Sequence, residues 1–474
     1  MPAAKGTQTR NPWRLRPHER RSMLIAVDLL MGGLALIIAL IFWAYADSTM
    51  QFSFEFIRRT PAWFFVLPIL WPFLLAGLYE EHQARNLRLT LRSIALAAII
   101  GLVLYMFIYF TSEPKSLPRI GVLVFVSAIS ILELIWRLIY IKVFTAPRFM
   151  RRVLVVGGGE TGKIILRITN QLRTRPFIIA GVIDDNPQKI GTILEGHAVL
   201  CGSDKLLDTI LELSITDLIV AISGQMQGSM FQALLDAQEM GVDIMRLPGI
   251  YEELISRVPI RALEADWILR SFVDEARVNA FYELTKRLLD IIGGLIGVLI
   301  LTIIFPFIGL ATFLDTGLPI FYTQTRLGKG GQLYYIIKFR TMRIDAEPDG
   351  QPQWAEENDR RATRVGRFLR KTHLDEVPQF INVLRGEMSL VGPRAERPEL
   401  VEWFQQHVPF YRARLLVRPG ITGWAQVNQD YASTIDETIE KLEFDLYYIK
   451  HRSLIMDIRV LMRTPMMVFG LRGR

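Results

Sequence analysis

Asp375 and Glu376 are neighbouring carboxylates inside a strongly basic part of the sequence. Basic clusters occupy residues 338–343 and 360–371, upstream of the pair. Lysine and arginine side chains can hold a diphosphate through charge-assisted hydrogen bonds. One carboxylate can then attack phosphorus and form an acyl phosphate, while the other holds Mg²⁺ beside the phosphates. A solvent-exposed helix face with ion pairs gives the same pattern, so the pair alone does not decide between these interpretations.

A glycine-rich segment follows a short β-branched run at residues 152–156. Gly157, Gly159 and Gly162 fit the pattern G-x-G-x-x-G, and Asp184 follows a second strand-like run. In dinucleotide-binding folds these glycines let a phosphate approach a helix N-terminus, and an acid follows about 20 residues later. Glycines also serve simply to turn tightly from strand to helix. The pattern predicts a Rossmann-like α/β domain and leaves open whether it binds a nucleotide or has a regulatory or structural role.

Tyr282 and Lys286 have the Tyr-x-x-x-Lys spacing that nucleotide-sugar dehydratases use. An NAD-dependent, membrane-bound dehydratase or epimerase is therefore the main alternative enzyme. The same spacing recurs at Tyr334 and Lys338, so it has little specificity. Tyr282 and Lys286 also stand at the start of an apolar run, where tyrosine and lysine are ordinary membrane-interface anchors. We favour the interface interpretation.

The composition is hydrophobic for a chain with this many charges. Of 474 residues, 51% are hydrophobic and 22% are charged, the net charge is +8, and the mean hydropathy is +0.26. So high an apolar content excludes a disordered chain. A single cysteine, Cys201, excludes a disulfide-stapled secreted protein. These values predict membrane segments joined to sizeable water-facing domains in a reducing compartment.

The first part of the chain contains four long apolar runs. Each is near the length of about 20 residues that a spanning helix needs, and they occupy residues 23–46, 63–79, 94–111 and 120–144. Arginines crowd the N-terminal tail, the loop after the second run and the exit from the fourth. By the positive-inside rule these three segments lie in the cytoplasm. Because the clearest basic clusters stand at membrane edges, we expect no nucleic-acid binding.

Two acids, Asp28 and Glu133, lie inside the apolar runs. An intramembrane carboxylate suggests a functional role by default. Glu133, however, has Arg137 one helical turn away, a spacing at which side chains meet. We therefore predict a polar contact between helices.

A fifth apolar run, at residues 288–314, is interrupted by Pro306. Its length allows a full span, which would carry the following polar domain across the membrane. Proline kinks or breaks a helix, so the run can also bend and return to the same face. Hydropathy alone leaves both topologies open.

From about Phe281 to the C-terminus the sequence resembles the bacterial sugar transferase family, the polyprenyl-phosphate glycosyl-1-phosphate transferases. The resemblance rests on separated motifs in a fixed order, namely Lys338–Arg343, Leu369-Arg370, Leu374–Gln379, Asn382–Arg394, Pro419–Asn428 and Asp445 to Tyr448. The four apolar runs and the Rossmann-like segment are similar to the long form of this family. The expected fold is a mixed membrane protein with a four-helix transmembrane region, an α/β Rossmann-like middle domain and a mainly α catalytic domain.

The expected domain boundaries follow from the hydropathy pattern and the resemblance. A basic cytoplasmic tail occupies residues 1–21, and the four transmembrane helices occupy 22–146. The Rossmann-like domain takes 147–255, and a linker takes 256–280. The phosphoglycosyl transferase domain takes 281–474, and its re-entrant helix, at about 286–314, breaks at Pro306.

The resemblance implies an activity and a set of site residues. Such enzymes transfer a sugar-1-phosphate from a UDP-sugar to undecaprenyl phosphate and release UMP, with Mg²⁺ as cofactor. The family pattern makes Asp375 the nucleophile and Glu376 the Mg²⁺ ligand, and it makes Asp445 a further catalytic acid. The matching phosphate- or substrate-binding positions are Lys338, Arg340, Arg370 and Arg394.

The family resemblance also implies a cellular setting. The product starts a lipid-linked glycan for exopolysaccharide, capsule or O-antigen. The protein is then a multi-pass protein of the bacterial inner membrane, in contact with the lipid bilayer, whose soluble domains face the cytoplasm. We expect a hexose-1-phosphate, and the sequence names neither the sugar nor the oligomeric state, for which a homodimer is one arrangement.

Two positions depart from the family pattern. Ala395 stands where a second proline is usual, and His373 stands where a small hydroxyl residue is usual. Arg394 is retained, so we expect only the local backbone shape to differ. A non-catalytic scaffold for polysaccharide assembly is the third hypothesis, and the intact Asp375–Glu376 pair argues against it.

Overall fold

The computed structural model describes residues 17–46, 52–79, 84, 86–111, 119–144, 150–172, 175–262, 280–343, 361–429 and 434–468. The basic tail to residue 16 and the linker residues 263–279 lie outside the described residues. The chain divides into two compact units, Met1–Leu254 and Ile255–Arg474.

Long apolar helices open the first unit. Its α-helices are α1 (Pro17–Ala46), α2 (Phe54–Arg59), α3 (Leu67–Leu74), α4 (Leu87–Thr111) and α5 (Arg119–Phe144). Within them Glu19–Ala46, Leu87–Met106 and Ile120–Phe144 are long and apolar enough to cross a membrane. Many large apolar side chains on their surfaces are exposed, such as Leu30 and Phe42 of α1. Exposed apolar helix surfaces of this length fit a lipid environment.

The second predicted span, at residues 63–79, differs from the expectation. It consists of a 3₁₀ helix (Ala62–Val66), α3 and a second 3₁₀ helix (Ala76–Tyr79), none of which has spanning length. Prolines at positions 61, 68 and 72 remove helix hydrogen bonds and interrupt it.

This broken segment nevertheless runs back along α1. The Phe64 ring lies 5.9 Å from the ring of Trp43, near the end of α1. Farther along the segment, Tyr79 donates a hydrogen bond of 2.7 Å to Asp28, near the start of α1. The segment therefore returns toward the end from which α1 begins.

A fully buried ionic group joins α1 and α5. Arg137 donates to Asp28 Oδ2 at 2.6 Å and to Glu133 Oε1 at 3.1 Å. All three side chains are inaccessible to solvent. The predicted polar contact between helices is confirmed, with Arg137 as its centre.

The middle domain is a six-stranded sheet with helices between its parallel strands. The strands are β1 (Arg151–Val156), β2 (Phe177–Ile183), β3 (Ile193–Leu194), β4 (His197–Cys201), β5 (Asp217–Val220) and β6 (Asp243–Arg246), in the order β3-β4-β2-β1-β5-β6. Its helices are α6 (Glu160–Gln171), α7 (Leu206–Leu213), α8 (Gly228–Glu239) and α9 (Leu247–Ile255). Only the β3–β4 pair is antiparallel. The expected α/β architecture is present, because buried β-branched strands alternate with amphipathic helices.

The C-terminal unit is mainly helical. Its helices are α10 (Ala280–Thr316), α11 (Arg364–Thr372), α12 (Gln379–Arg385), α13 (Pro398–His407), α14 (Trp424–Asn428), α15 (Ile435–His451) and α16 (Leu454–Val468). An antiparallel hairpin joins β7 (Phe321–Leu327) and β8 (Leu333–Phe339), and β9 (Ser389–Val391) pairs in parallel with β10 (Gly420–Thr422). Apolar side chains from β8, α12, α13, α15 and α16 form one core.

Helix α10 is the fourth helix of membrane-spanning length and composition. It is assigned as one helix of 37 residues with Pro306 inside it. Small and polar residues form its buried face, including Gly294 and Gly297. Gly297 lies against the Phe380 ring so closely that a Cβ atom would clash with it.

The sequence of α16 is amphipathic, a pattern typical both of a helix at a membrane interface and of an ordinary packed helix. Met456, Asp457 and Val460 are buried, and Thr464 exchanges a hydrogen bond of 2.8 Å with Thr422 of β10. The described part of α16 is therefore a packed helix.

Candidate active site

A tight turn presents the Asp375–Glu376 pair. Thr363 caps the start of α11 by accepting a hydrogen bond from Gly366 N at 2.9 Å. The helix ends at His373, whose φ of 57° is left-handed and reverses the chain direction. A 3₁₀ turn, Leu374–Glu376, follows before α12 begins. Because of this turn, Asp375 is buried, with 8% of its surface exposed.

Two cations from distant parts of the sequence hold Glu376. Lys338 Nζ, near the end of β8, and Arg394 Nη2, after β9, each donate to Glu376 Oε1 at 2.7 Å. Burial by itself raises the pKa of Glu376, but Arg394 and Lys338 outweigh it and hold the pKa well below its usual range. Glu376 is therefore an anion at neutral pH.

Asp375 has a different electrostatic environment from its neighbour. Burial raises its pKa, and the adjacent Glu376 charge raises it further. Lys338 and Arg394 act in the opposite direction and favour the ionised form. Two neighbouring carboxylates with such different surroundings can take different roles, one as a nucleophile and one as a fixed anion.

A small cavity lies beside Glu376. Its volume is about 20 Å³, enough for about one water molecule. Three of the residues that line it, Lys338, Glu376 and Arg394, were predicted as site residues. The full lining is Arg326, Ile336, Lys338, Glu376, Gln379, Met388, Arg394, Ala395 and Gly420. Arg326 and Gln379 were missed as site residues. Arg326 lies in β7, which carries no motif, whereas Gln379 is the last residue of the motif Leu374–Gln379.

Arg340 and Arg370, two of the predicted substrate-binding residues, do not share the contacts to Glu376. The backbone N–H of Arg340 donates to Ile320 O at 2.9 Å, and its Nη1 is buried without a hydrogen-bond partner within the described residues. Arg370 lies in the last turn of α11 and is partly exposed. Lys338 and Arg394 are thus the two predicted cations that hold the carboxylate pair.

Asp445 belongs to a buried ionic network around Arg414. Arg414 Nη2 donates to Asp445 Oδ2 at 2.8 Å and to the Arg394 carbonyl oxygen at 3.2 Å. Glu396 joins the network through Arg414 Nη1 at 3.4 Å and Lys441 Nζ at 3.1 Å. Burial raises the pKa of Asp445, and Arg414 opposes that effect. Through Arg414, Asp445 is linked to the backbone of Arg394, and its role as a catalytic acid stays a prediction.

The carboxylates fit a magnesium–phosphate complex better than a metal site built by protein alone. Across the described ranges, no three His, Cys, Asp or Glu residues cluster in a way that could hold a metal ion. Mg²⁺ commonly takes only one or two protein carboxylates and completes its shell with water and substrate phosphates. Glu376 and the adjacent Asp375 offer carboxylate oxygens of that kind.

The predicted glycine loop of the middle domain is hydrogen-bonded to Asp184. Gly157 has a φ of 108°, and a Cβ atom on Gly162 would clash with the Gly157 carbonyl oxygen. Asp184 Oδ2 accepts hydrogen bonds from Gly158 N at 2.8 Å and from Lys189 Nζ at 2.9 Å. A cavity of about 230 Å³ lies at the carboxyl ends of β1, β2 and β5, and Gly157, Gly159 and Asp184 line it.

Tyr282 and Lys286 belong to a buried cluster of the C-terminal unit. Tyr282 donates to Asp457 Oδ2 at 3.0 Å, and Lys286 pairs with Asp457 Oδ1 at 3.1 Å. Lys286 also donates to the Val391 carbonyl oxygen at 3.0 Å. The interface-anchor interpretation is wrong for Lys286, because its ammonium group is buried and engaged. Its spacing from Tyr282 therefore reflects packing of α10 against α16 and β9.

Two family models match this chain. The model described as "Bacterial sugar transferase" matches residues 281–471, which include the whole site around Asp375. The model described as "CoA-binding domain" matches residues 74–248, which include the sheet of the middle domain.

Curated bacterial proteins are also similar to this chain. A UDP-N-acetylgalactosamine-undecaprenyl-phosphate N-acetylgalactosaminephosphotransferase of Aeromonas hydrophila is 38% identical over 47% of this chain. That match covers 51% of the relative, so the chain spans about half of its length. A UDP-glucose:undecaprenyl-phosphate glucose-1-phosphate transferase of Xanthomonas campestris is 28% identical, over 68% of this chain and 67% of the relative.

Another bacterial relative is matched over most of its own length. A UDP-glucose:undecaprenyl-phosphate glucose-1-phosphate transferase of Caulobacter vibrioides is 37% identical over 38% of this chain. The match covers 68% of that protein. Together with the family model over residues 281–471, this similarity shows that the chain belongs to the bacterial sugar transferase family.

Proposed function

We propose that this protein transfers a sugar-1-phosphate from a UDP-sugar to undecaprenyl phosphate and releases UMP. The observation that carries the proposal is the site geometry. Lys338 and Arg394 both donate hydrogen bonds to Glu376, and the adjacent Asp375 is buried. The named relatives act on UDP-glucose or UDP-N-acetylgalactosamine with undecaprenyl phosphate as acceptor. Both hexose and N-acetylhexosamine donors are therefore candidates here.

The proposed chemistry has two displacements at phosphorus. A carboxylate oxygen of Asp375 attacks the β-phosphorus of the UDP-sugar, the bond from that phosphorus to the bridging oxygen breaks, and UMP leaves with the electron pair. A phosphate oxygen of undecaprenyl phosphate then attacks the phosphosugar-aspartate and releases the Asp375 carboxylate. The covalent intermediate predicts ping-pong kinetics. The raised pKa of Asp375 is compatible with this role, since Lys338 and Arg394 favour its ionised form.

Glu376 and the cations around it organise the substrate phosphates. Lys338 and Arg394 fix the Glu376 carboxylate, and both side chains line the adjacent cavity. We propose that Glu376, with Asp375 beside it, holds Mg²⁺ together with the substrate phosphates. The metal ion would neutralise charge on those phosphates.

The acceptor lipid explains why α10 belongs to the catalytic unit. The middle of α10 packs through Gly297 on Phe380, and near its C-terminal end Asp315 accepts a hydrogen bond from Val365 N at 3.1 Å. Between them Phe305 stacks on Phe321, with ring centroids 5.6 Å apart. Because these contacts with the rest of the C-terminal unit recur along α10, no stretch of this helix as long as the bilayer core, about 30 Å, is free of such contacts. We therefore propose that α10 dips into one leaflet and returns near Pro306.

This topology keeps the active site at the cytoplasmic face of the bacterial inner membrane, where UDP-sugars and Mg²⁺ are present. The arginines at the start of α4, Arg88 and Arg92, support that orientation by the positive-inside rule. We further propose that the reaction is the first membrane step of an exopolysaccharide, capsule or O-antigen. A homodimer is a proposal that mass photometry in nanodiscs would test.

The deciding experiment is nucleotide release by purified protein. Wild type would receive each UDP-sugar with Mg²⁺, with and without undecaprenyl phosphate. We expect UMP as the released nucleotide and a phosphosugar adduct on Asp375. Asp375→Asn removes the nucleophile and should abolish both signals, whereas Asp208→Asn, an exposed aspartate of α7, should leave them unchanged. Release of UDP would contradict the mechanism, and no nucleotide from any donor would favour the scaffold hypothesis.

The cavity of the middle domain favours a second, separate function. Its position at the carboxyl ends of parallel strands is where doubly wound folds bind ligands, and its volume of about 230 Å³ admits a ligand much larger than water. We propose that this domain binds a nucleotide-type ligand there. Thermal shifts with NAD, coenzyme A, UMP and UDP-sugars would test this, and tightly bound NAD in the purified protein would support the dehydratase alternative.

A further inference from the structure

Gln379 has a buried amide group without a partner at the wall of the candidate active site. It is the first residue of α12, three residues after Glu376, and only 2% of its surface is exposed. Its Nε2 atom is buried and has no hydrogen-bond partner in the part of the chain that the structure describes. Gln379 lines the same cavity as Lys338, Glu376 and Arg394.

Asn382, one turn farther along α12, shows what a structural amide looks like in this helix. It is completely buried, and its Oδ1 accepts a hydrogen bond from Ile337 N at 3.1 Å. Its Nδ2 donates to Tyr335 O at 2.8 Å and to Glu387 Oε2 at 2.7 Å. Buried polar groups in proteins are nearly always paired in this way. The unpaired amide of Gln379 therefore needs a partner that enters the cavity from outside.

The position of Gln379 relative to the reacting group identifies that partner. Gln379 lines the cavity together with Glu376, and Asp375 directly precedes Glu376 in the same 3₁₀ turn. Lys338 Nζ and Arg394 Nη2 are already committed to Glu376 Oε1. Gln379 Nε2 is free of such a commitment, so it can bind an incoming oxygen without breaking an ion pair.

We infer that Gln379 is a substrate-binding residue whose side-chain amide donates a hydrogen bond to a non-bridging oxygen of the transferred phosphoryl group. The inference rests on the proposed phosphoglycosyl transfer. The cavity, about 20 Å³ in volume, has room for about one water-sized atom group. A phosphoryl oxygen of the substrate would occupy that space. An amide donor aimed at a phosphoryl oxygen stabilises the charge that develops during attack by Asp375.

The test uses the full-length protein in nanodiscs and follows the rate of adduct formation on Asp375. Gln379→Met keeps the size of the side chain and removes the donor. We expect it to fold like wild type and to form the adduct about 100-fold more slowly, the loss typical of one deleted oxyanion donor. Gln379→Ala is the second variant, in case the methionine side chain disturbs packing.

A sulfur-substituted donor separates contact with substrate from a structural role. UDP-sugar with a non-bridging sulfur on the β-phosphate would be tested as each of its two diastereomers. Sulfur accepts hydrogen bonds weakly, so wild type should react more slowly with the diastereomer that faces Gln379. In Gln379→Met and Gln379→Ala this additional loss should disappear, because the donor is already gone.

Gln429 provides the matched control, since its Nε2 donates to the Glu437 carbonyl oxygen at 2.9 Å and it does not line the cavity. Gln429→Met should retain the wild-type ratio between oxygen and sulfur donors. The inference is overturned if the Gln379 variants keep that ratio for both diastereomers, or if their adduct rates match wild type. A wild-type protein that releases no UMP would instead overturn the proposed function.

Discussion

Arg414 and Asp445 form a buried ion pair of 2.8 Å in the C-terminal unit. The same guanidinium nitrogen of Arg414 also donates to the Arg394 carbonyl oxygen, at 3.2 Å. Arg394 in turn holds Glu376 through its side chain. Asp445 therefore acts on the site through the loop that carries Arg394.

This relationship predicts that Asp445→Asn affects stability and activity together. Removing one partner of a buried ion pair typically costs about 3–5 kcal/mol, and asparagine retains an acceptor, so we expect about 2–3 kcal/mol here. Adduct formation should slow about tenfold through displacement of Arg394, while Asp375→Asn abolishes it. Denaturant unfolding and adduct trapping measure the two effects. An Asp445→Asn variant of wild-type stability that forms no adduct would show that Asp445 acts directly in catalysis.

Glu396 gives a pH dependence of stability with a definite sign. Burial alone raises its pKa, but Lys441 and Arg414 overcome burial and lower the pKa to about 2, from 4.5 for the ordinary group. Because the pKa is lower in the folded state, the stabilisation is complete above about pH 4.5 and is lost as the pH falls toward 2.

The measurement is the difference in unfolding free energy between wild type and Glu396→Gln. We expect this difference to shrink by on the order of 3 kcal/mol when the pH falls from about 6 to about 2. Taking the difference cancels the titrating groups that do not interact with Glu396. A difference that stays constant with pH would contradict the assigned ion pairs.

Lys338 and Arg394 should not act independently, because both donate to Glu376 Oε1. We expect Lys338→Met and Arg394→Met each to slow adduct formation about 10²–10³-fold. The double variant should lose less than the product of the two effects, since each single change already disturbs the same carboxylate. Lys338→Met combined with Lys205→Met, an exposed residue of the middle domain, should be additive. If the effects of Lys338→Met and Arg394→Met on the rate multiply in the double variant, the two cations do not act through the same Glu376 carboxylate.

Gly162 and Gly159 should respond differently to alanine. A Cβ atom on Gly162 would clash with the Gly157 carbonyl oxygen, whereas one on Gly159 meets open space. We expect Gly162→Ala to destabilise the middle domain by about 1–3 kcal/mol through overpacking, and Gly159→Ala to change stability by less than about 1 kcal/mol. Protease susceptibility of this domain measures both. Equal effects would show that the glycine loop is not close-packed on α6.

Arg137 should be essential for folding only while its partners are charged. Arg137→Leu leaves Asp28 and Glu133 buried without a cation, so we expect little folded protein in the membrane. A triple variant with Asp28→Asn, Glu133→Gln and Arg137→Leu removes all three charges and should restore expression. If Arg137→Leu alone accumulates at the wild-type level, the group has another role.

Sequence patterns determined the local structure and much of the site. The strand, glycine turn and helix around Gly157 follow from neighbouring residues, because backbone sterics and amphipathic periodicity act over short distances. Motif order likewise indicated Asp375 and Glu376 as the chemical centre, with Lys338 and Arg394 among its cations. The prolines that break the second apolar run were also visible, although hydropathy averaged over the run concealed their effect.

Only the tertiary structure decided how those residues are connected. Lys338 and Arg394 reach one oxygen of Glu376 from opposite directions along the chain, and Asp445 is set apart behind Arg414. Gln379 and Asn382 are both buried amides on one short helix, but packing pairs Asn382 with protein and leaves the Gln379 donor for a ligand. Whether a buried polar atom has a hydrogen-bond partner depends on contacts between segments that are distant in the sequence. The residues next to it in the sequence do not determine those contacts.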